Sequence, residues 1–150
     1  MSYFQDLEKS LNELEGPIDY SDHKDSLVKK VESVRRKKIK NLMVGDLALL
    51  LRQQMSLEFI VPLCLSKLNE DILAETERAG FRLLIHLMNI DKNFWLTDQG
   101  LYHQTLDVIN NKMDEIINPR MDNPVELDSY VSDELPGILK LYQNFILLDK

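Results

Sequence analysis

The residues with side chains suited to chemistry are three histidines, one cysteine and a close pair of glutamates, and their spacing arms none of them. His23, His86 and His103 lie far apart, with no H-E-x-x-H run and no Cys/His pairing at metal-ligand spacing. His86 falls in an apolar segment, where a histidine serves the core or its boundary. Cys64 sits on an apolar helical stripe and is expected to pack as a small hydrophobe, since a reactive thiol needs a base and an electropositive setting. Glu75 and Glu77 stand two apart in what reads as a mobile connector, a poor mount for paired acid and base. The five glycines are scattered singly, so no phosphate cradle forms. The chain does not read as an enzyme, and no cofactor or metal is expected.

What remains is charge. Residues 29–40 hold seven basic residues and one acid, in a chain whose net charge is −7. The run is a candidate for nucleic-acid binding, yet it has no interleaved aromatics and no second basic element beside it. The competing reading is a solvated helix face whose Lys and Arg complement the helix C-terminus. Acids concentrate in two blocks, Asp6 to Asp25 and Asp114 to Glu134. Such a surface repels nucleic acid and steers a basic protein toward itself.

Helices must position these groups. Ser2, with Gln5 three residues on, makes a capping box for a helix using Phe4, Leu7, Leu11 and Leu14, ended by Gly16-Pro17. A second is expected from Ser21 or Asp22, with Leu27, Val31 and Val34 on one face, fading before Asn41. The third spans about 44–55, with Leu47, Leu50 and Leu51 inward. The fourth covers about 57–68 on the stripe Leu57, Ile60, Val61, Cys64, Leu65 and Leu68. Pro62 interrupts that stripe, so a late start with Pro62 near the first turn is expected. Between the third and fourth helices, Arg52, Gln53 and Gln54 are expected to satisfy carbonyls and stiffen the corner.

Residues 69–79 read as an acidic connector, and 80–90 as a central buried helix, apolar on nearly every side. Trp95 beside Phe94 reads as a core anchor. Thr97 or Asp98 starts a helix that runs to Pro119, and 119–131 reads as a loop. Ser132 is expected to cap a last helix with Leu135, Ile138, Leu139, Tyr142, Phe145 and Ile146 inward. The fold class that follows is all-α, a compact irregular bundle of about seven short helices in one domain, 1–150. One cysteine, no secretory signal and no apolar run near the roughly 20 residues of a membrane span predict a cytoplasmic protein without membrane contact.

Residues 42–95 carry a further pattern. Gly45, Asp46, Leu47, Leu49, Leu50, Leu51 and Gln54 form a helix ending in leucines and glutamine, followed by a short turn. Leu57, Pro62, Leu63, Leu65 and Leu68 form the next helix, then come an acidic loop, an apolar helix and an Asp-x-x-Phe-Trp corner at Asp91, Phe94 and Trp95. In these positions the chain resembles the immunity proteins of bacterial contact-dependent growth inhibition (CDI) systems. It departs at Arg78-Ala79-Gly80-Phe81, where that family often shows Gly-Asp and Tyr, so a partner different from that of its relatives is implied.

The resemblance implies binding and blockade of a cognate CDI toxin C-terminal domain, as a 1:1 heterodimer and without direct nucleic-acid contact. Many such toxins are nucleases with basic substrate grooves, and an acidic inhibitor offers carboxylates where phosphates would sit. The residues expected to bind the toxin are Asp122, Glu126, Asp128, Asp133 and Glu134, with Tyr130 as an aromatic anchor, and then Asp71, Glu75 and Glu77. The alternative is a small nucleic-acid-associated regulator that uses 29–40.

Overall fold

Local capping chemistry sets the helix starts in the computed structural model, which describes residues 7–19, 25–78 and 80–149. The Ser10 hydroxyl accepts from the Glu13 N–H at 3.2 Å and the Glu13 carboxylate accepts from the Ser10 N–H at 3.3 Å. This capping box opens α1 (Leu11–Glu15), and Gly16 closes it at φ +86°. The expected Ser2–Gln5 cap and Phe4 lie outside the described residues, and Leu7 precedes the helix in a turn. Asp25 caps α2 (Ser26–Arg36) by accepting from the Val28 N–H at 2.9 Å. The earlier starts at Ser21 or Asp22 also fall outside the described residues.

A 3-10 turn (Ile39–Asn41) leads to α3 (Val44–Arg52), whose Leu47, Leu50 and Leu51 are fully buried. The corner after it runs through two non-glycine residues with positive φ, Gln54 at 54° and Ser56 at 57°. Gln54 fastens it. Its Nε2 donates to the Leu51 carbonyl at 3.2 Å, and its Oε1 accepts from the Asp91 N–H at 3.0 Å. Of Arg52, Gln53 and Gln54, all expected to bond at that corner through their side chains, only Gln54 does so among the described residues, and its reach to Asp91 was not visible in sequence.

α4 (Leu57–Glu70) starts five residues before Pro62 and continues through it. The late start therefore does not occur. The carbonyl left without a Pro62 N–H belongs to Glu58, whose side chain faces solvent, while Ile60, Val61, Cys64, Leu65 and Leu68 bury a continuous stripe. Burial of that stripe outweighs one lost helical bond.

The acidic connector is not a mobile segment. Ile72, Leu73 and Ala74 are buried, and the chain folds into a hairpin with an isolated Glu75–Arg82 bridge. Leu83 N–H donates to the Ala74 carbonyl and Thr76 N–H to the Phe81 carbonyl, each at 3.0 Å. The buried helix that follows is shorter than expected, α5 (Leu83–Met88).

The second half divides more finely than the periodicity suggests. α6 (Lys92–Thr97) is capped by Asp91, and α7 (Gln99–Asn111) by the expected Asp98. A break at Lys112 sets off α8 (Met113–Ile117). The segment read as a loop holds α9 (Pro124–Ser129), capped by Asn123. Ser132 caps nothing. It lies inside a π-helical turn, Tyr130–Glu134, where its hydroxyl donates to the Asp128 carbonyl at 2.9 Å, and α10 (Leu135–Phe145) continues from that turn. The chain is all-α among the described residues, around one core that runs from Leu11 to Phe145. No helix among them is long and apolar enough to cross a membrane.

Candidate functional site

Arg82 organises an open groove between the hairpin and the second half of the chain. It opens the apolar run of α5, is only 4% exposed, and reaches sideways to the π-helical turn. Its Nε donates to Glu134 Oε1 at 2.6 Å, Nη2 to Glu134 Oε2 at 3.3 Å, and Nη1 to the Leu73 carbonyl at 2.7 Å. Glu75 stands 3.6 Å away, and the Tyr130 ring lies 5.1 Å beneath the guanidinium. Burial alone would lower the Arg82 pKa, but the hydrogen bond and charge of Glu134, with Glu75, hold it above its ordinary value. The clasp joins the hairpin to the second half of the chain.

Around that clasp lies a groove of about 520 Å³, continuous through Glu75, Arg82, Met121 and Glu126 with a second hollow of about 300 Å³. Glu70, Asp71 and Glu75 line one wall, and Asp114, Glu115 and Glu126 the other. Arg82 is already bound to Glu134, so the opening presents carboxylates to solvent with Arg120 as the one other base in its lining.

The structure sorts the sequence-predicted residues. Asp71, Glu75, Glu126 and Glu134 meet at this groove from two distant parts of the chain. Asp122 and Asp128 are exposed nearby but do not line it, and Asp133 accepts from the Ser129 hydroxyl. Glu77 faces the other side of the hairpin, its carboxylate lying over Gly45, which has no Cβ to fend it off. Tyr130 is fully buried. Its hydroxyl donates to the Ile116 carbonyl at 2.7 Å, and burial pushes its pKa up to about 12. It supports the groove from below and offers no ring to a partner. Sequence reasoning did not single out Glu70, Asp114, Glu115 or Arg82. A lone arginine at the head of an apolar run, without a solvent-facing stripe to join, was the one signal available for Arg82.

The basic run is partly taken up by ion pairs within the chain, one of them buried and the others at the surface. Arg35 is 2% exposed and binds Glu15 at 2.9 Å, Ser56 at 2.7 Å, Asn12 and the Gly16 carbonyl, tying α1 and α2 to the α3–α4 corner. Lys37 pairs with Asp46 at 3.0 Å, and Lys38 and Lys40 both pair with Glu8. Four of the seven bases are thus ion-paired, which leaves little of the run for a phosphate backbone.

Other reactive types are quiet. Burial drives the Cys64 thiol well above its ordinary pKa, so a thiolate is not formed near neutrality. His86 Nε2 is buried without a hydrogen-bond partner among the described residues, and burial, with the Arg52 charge, lowers its pKa from the ordinary 6.5. As pH falls through about 6.5, the unfolded chain takes up a proton that native His86 resists, so stability present above that pH declines below it. The urea midpoint should therefore fall between pH 7.5 and 5.5, and less so in His86→Leu. Equal slopes in the two proteins would remove His86 from the pH response.

The family model of the CDI immunity proteins matches residues 13–105, well over half of the chain. The chain belongs to that family. No curated protein and no solved structure matches it. Membership implies neutralisation of a CDI toxin. Within the immunity protein, the leucines of α3 and the Gln54–Asp91 and Trp95 corners that carried the resemblance are scaffold. The match ends before α8, so the first groove wall lies inside the matched residues and the second lies beyond them.

Proposed function

We propose that this immunity protein neutralises its cognate CDI toxin, a basic nuclease domain, by seating the acid-lined groove over the toxin's substrate groove in a 1:1 complex. The supporting observation is the convergence of Glu70, Asp71 and Glu75 with Asp114, Glu115 and Glu126 on two walls of one groove. Carboxylates fixed on a packed frame stand in for phosphates and need little reorganisation on binding. Asp122, Asp128 and Asp133 add to the long-range field that steers a cationic partner. The action is binding, without turnover, and its place is the cytoplasm.

The test uses the toxin domain encoded beside this gene and the triple variant Asp71→Asn, Glu75→Gln, Glu126→Gln. The amides keep acceptor oxygens for the bonds from Leu73 N–H at 3.0 Å and Gly80 N–H at 2.8 Å, so the hairpin should persist. Affinity should drop tenfold or more in dilute buffer, and its dependence on salt should flatten. Wild-type affinity in the triple variant would overturn the groove as the docking site.

A further inference from the structure

On the opposite flank of the hairpin lies a pocket of about 240 Å³ with the reverse charge character. Lys30 from α2, Arg52 from the end of α3 and Arg78 from the hairpin line it together with the Phe81 ring. None of these three cations is ion-paired among the described residues. Arg78 is held in place by stacking, its guanidinium 4.5 Å from the centre of the Phe81 ring. Of the two acids in the lining, Asp46 is bound to Lys37, and Glu77, whose carboxylate leans over Gly45, is the one left to offset the three cations among the described residues. A protein of net charge −7 thus gathers three cations against one unpaired carboxylate around one pocket.

We propose that this pocket receives an acidic side chain of the same toxin, so that the docking surface carries opposite signs on the two flanks of one hairpin. The inference rests on the reading that the toxin docks at the acid-lined groove. Glu75 and Gly80 line that groove, while Thr76, Glu77, Arg78 and Phe81 line the cationic pocket. A standard protein interface covers about 800 Å² on each partner, wide enough to span both flanks of a hairpin. A uniformly basic toxin face laid across it would meet Lys30, Arg52 and Arg78 as like charges, a penalty that one matching carboxylate turns into a charge-assisted bond. The pocket therefore supplies discrimination: an acidic groove alone accepts any basic protein, and an acidic groove beside a cationic socket does not. A nucleic-acid strand is the poorer occupant, because the carboxylates across the hairpin repel a polyanion.

The sign of the effect separates the possibilities. The triple variant Lys30→Gln, Arg52→Gln, Arg78→Gln makes the protein more negative, so steering alone predicts faster and tighter capture of a cationic toxin. The proposal predicts the reverse, at least tenfold weaker binding to the neighbouring toxin domain, seen mainly as faster dissociation. Unchanged or tighter binding, with the acid-groove variant still impaired, overturns the pocket and leaves the groove reading standing. If neither variant alters affinity, both readings fall. Loss of retention on RNA without loss of toxin affinity also overturns the proposal. Thermal melting checks the fold, and Arg78→Gln alone, at the exposed hairpin tip, serves as the second variant with an expected loss of threefold or more.

Discussion

Glu134→Ala is expected to destabilise the immunity protein by about 3–5 kcal/mol, and Arg82→Met by clearly less. The asymmetry follows from where each charge is left. Removing Glu134 strands a guanidinium that is 4% exposed, keeps the Leu73 carbonyl at 2.7 Å, Glu75 at 3.6 Å and the Tyr130 ring beneath it, and cannot shed its proton. Removing Arg82 leaves a Glu134 carboxylate whose side chain is 22% exposed and can recover water, while methionine refills much of the space. Against a total stability of roughly 5–15 kcal/mol, the first variant should be close to unfolding at body temperature. Urea unfolding followed by circular dichroism measures both. Losses below about 1 kcal/mol in each would show that the clasp behaves like an exposed ion pair and does not hold the hairpin to the π-helical turn.

The long helices were legible because their apolar spacing needs no partner to be seen. α3 buries the stripe that its periodicity marked, α4 does so but for the half-buried Leu57, and α10 buries Ile138 and Phe145 while Leu135, Leu139, Tyr142 and Ile146 stay half-buried. Short elements were not, since their boundaries depend on contacts made elsewhere. Ile72, Leu73 and Ala74 are three apolar residues in an acidic stretch, and only the hairpin to Arg82 explains their burial. α9 hides behind Pro119 and Pro124 because the second proline occupies the first helical position, where it starts a helix instead of breaking one.

The site shows the same division. That acids mattered could be read from charge, but not which of them share a groove, because Asp71 and Glu126 meet only after α8 and α9 fold back on the hairpin. Tyr130 stands among acids in sequence, and its burial is set by a hydroxyl bond to Ile116, fourteen residues earlier. The basic run resembled a phosphate-binding strip until Glu8, some thirty residues away, took up both Lys38 and Lys40.

Trp95→Ala should cost about 3–5 kcal/mol while leaving toxin affinity nearly unchanged in the cold, where the variant remains folded. Trp95 is 1% exposed and meets Phe145 edge-on at 5.2 Å and Tyr102 at 6.2 Å, so one side chain of α6 joins α7 to α10. The Tyr102 hydroxyl closes the triangle by donating to the Phe145 carbonyl at 2.6 Å. Truncation opens a cavity there and removes three aromatic contacts at once, to Phe94, Tyr102 and Phe145. Trp95→Phe should cost only about 1–3 kcal/mol, since the indole N–H has no hydrogen-bond partner among the described residues to lose. The binding measurement matters as much as the melting curve, because Trp95 belongs to the Asp-x-x-Phe-Trp corner by which the family resemblance was read. A folded Trp95→Ala protein that no longer captures the toxin would place that corner in the docking surface, and the buried aromatic cluster would then have to open on binding.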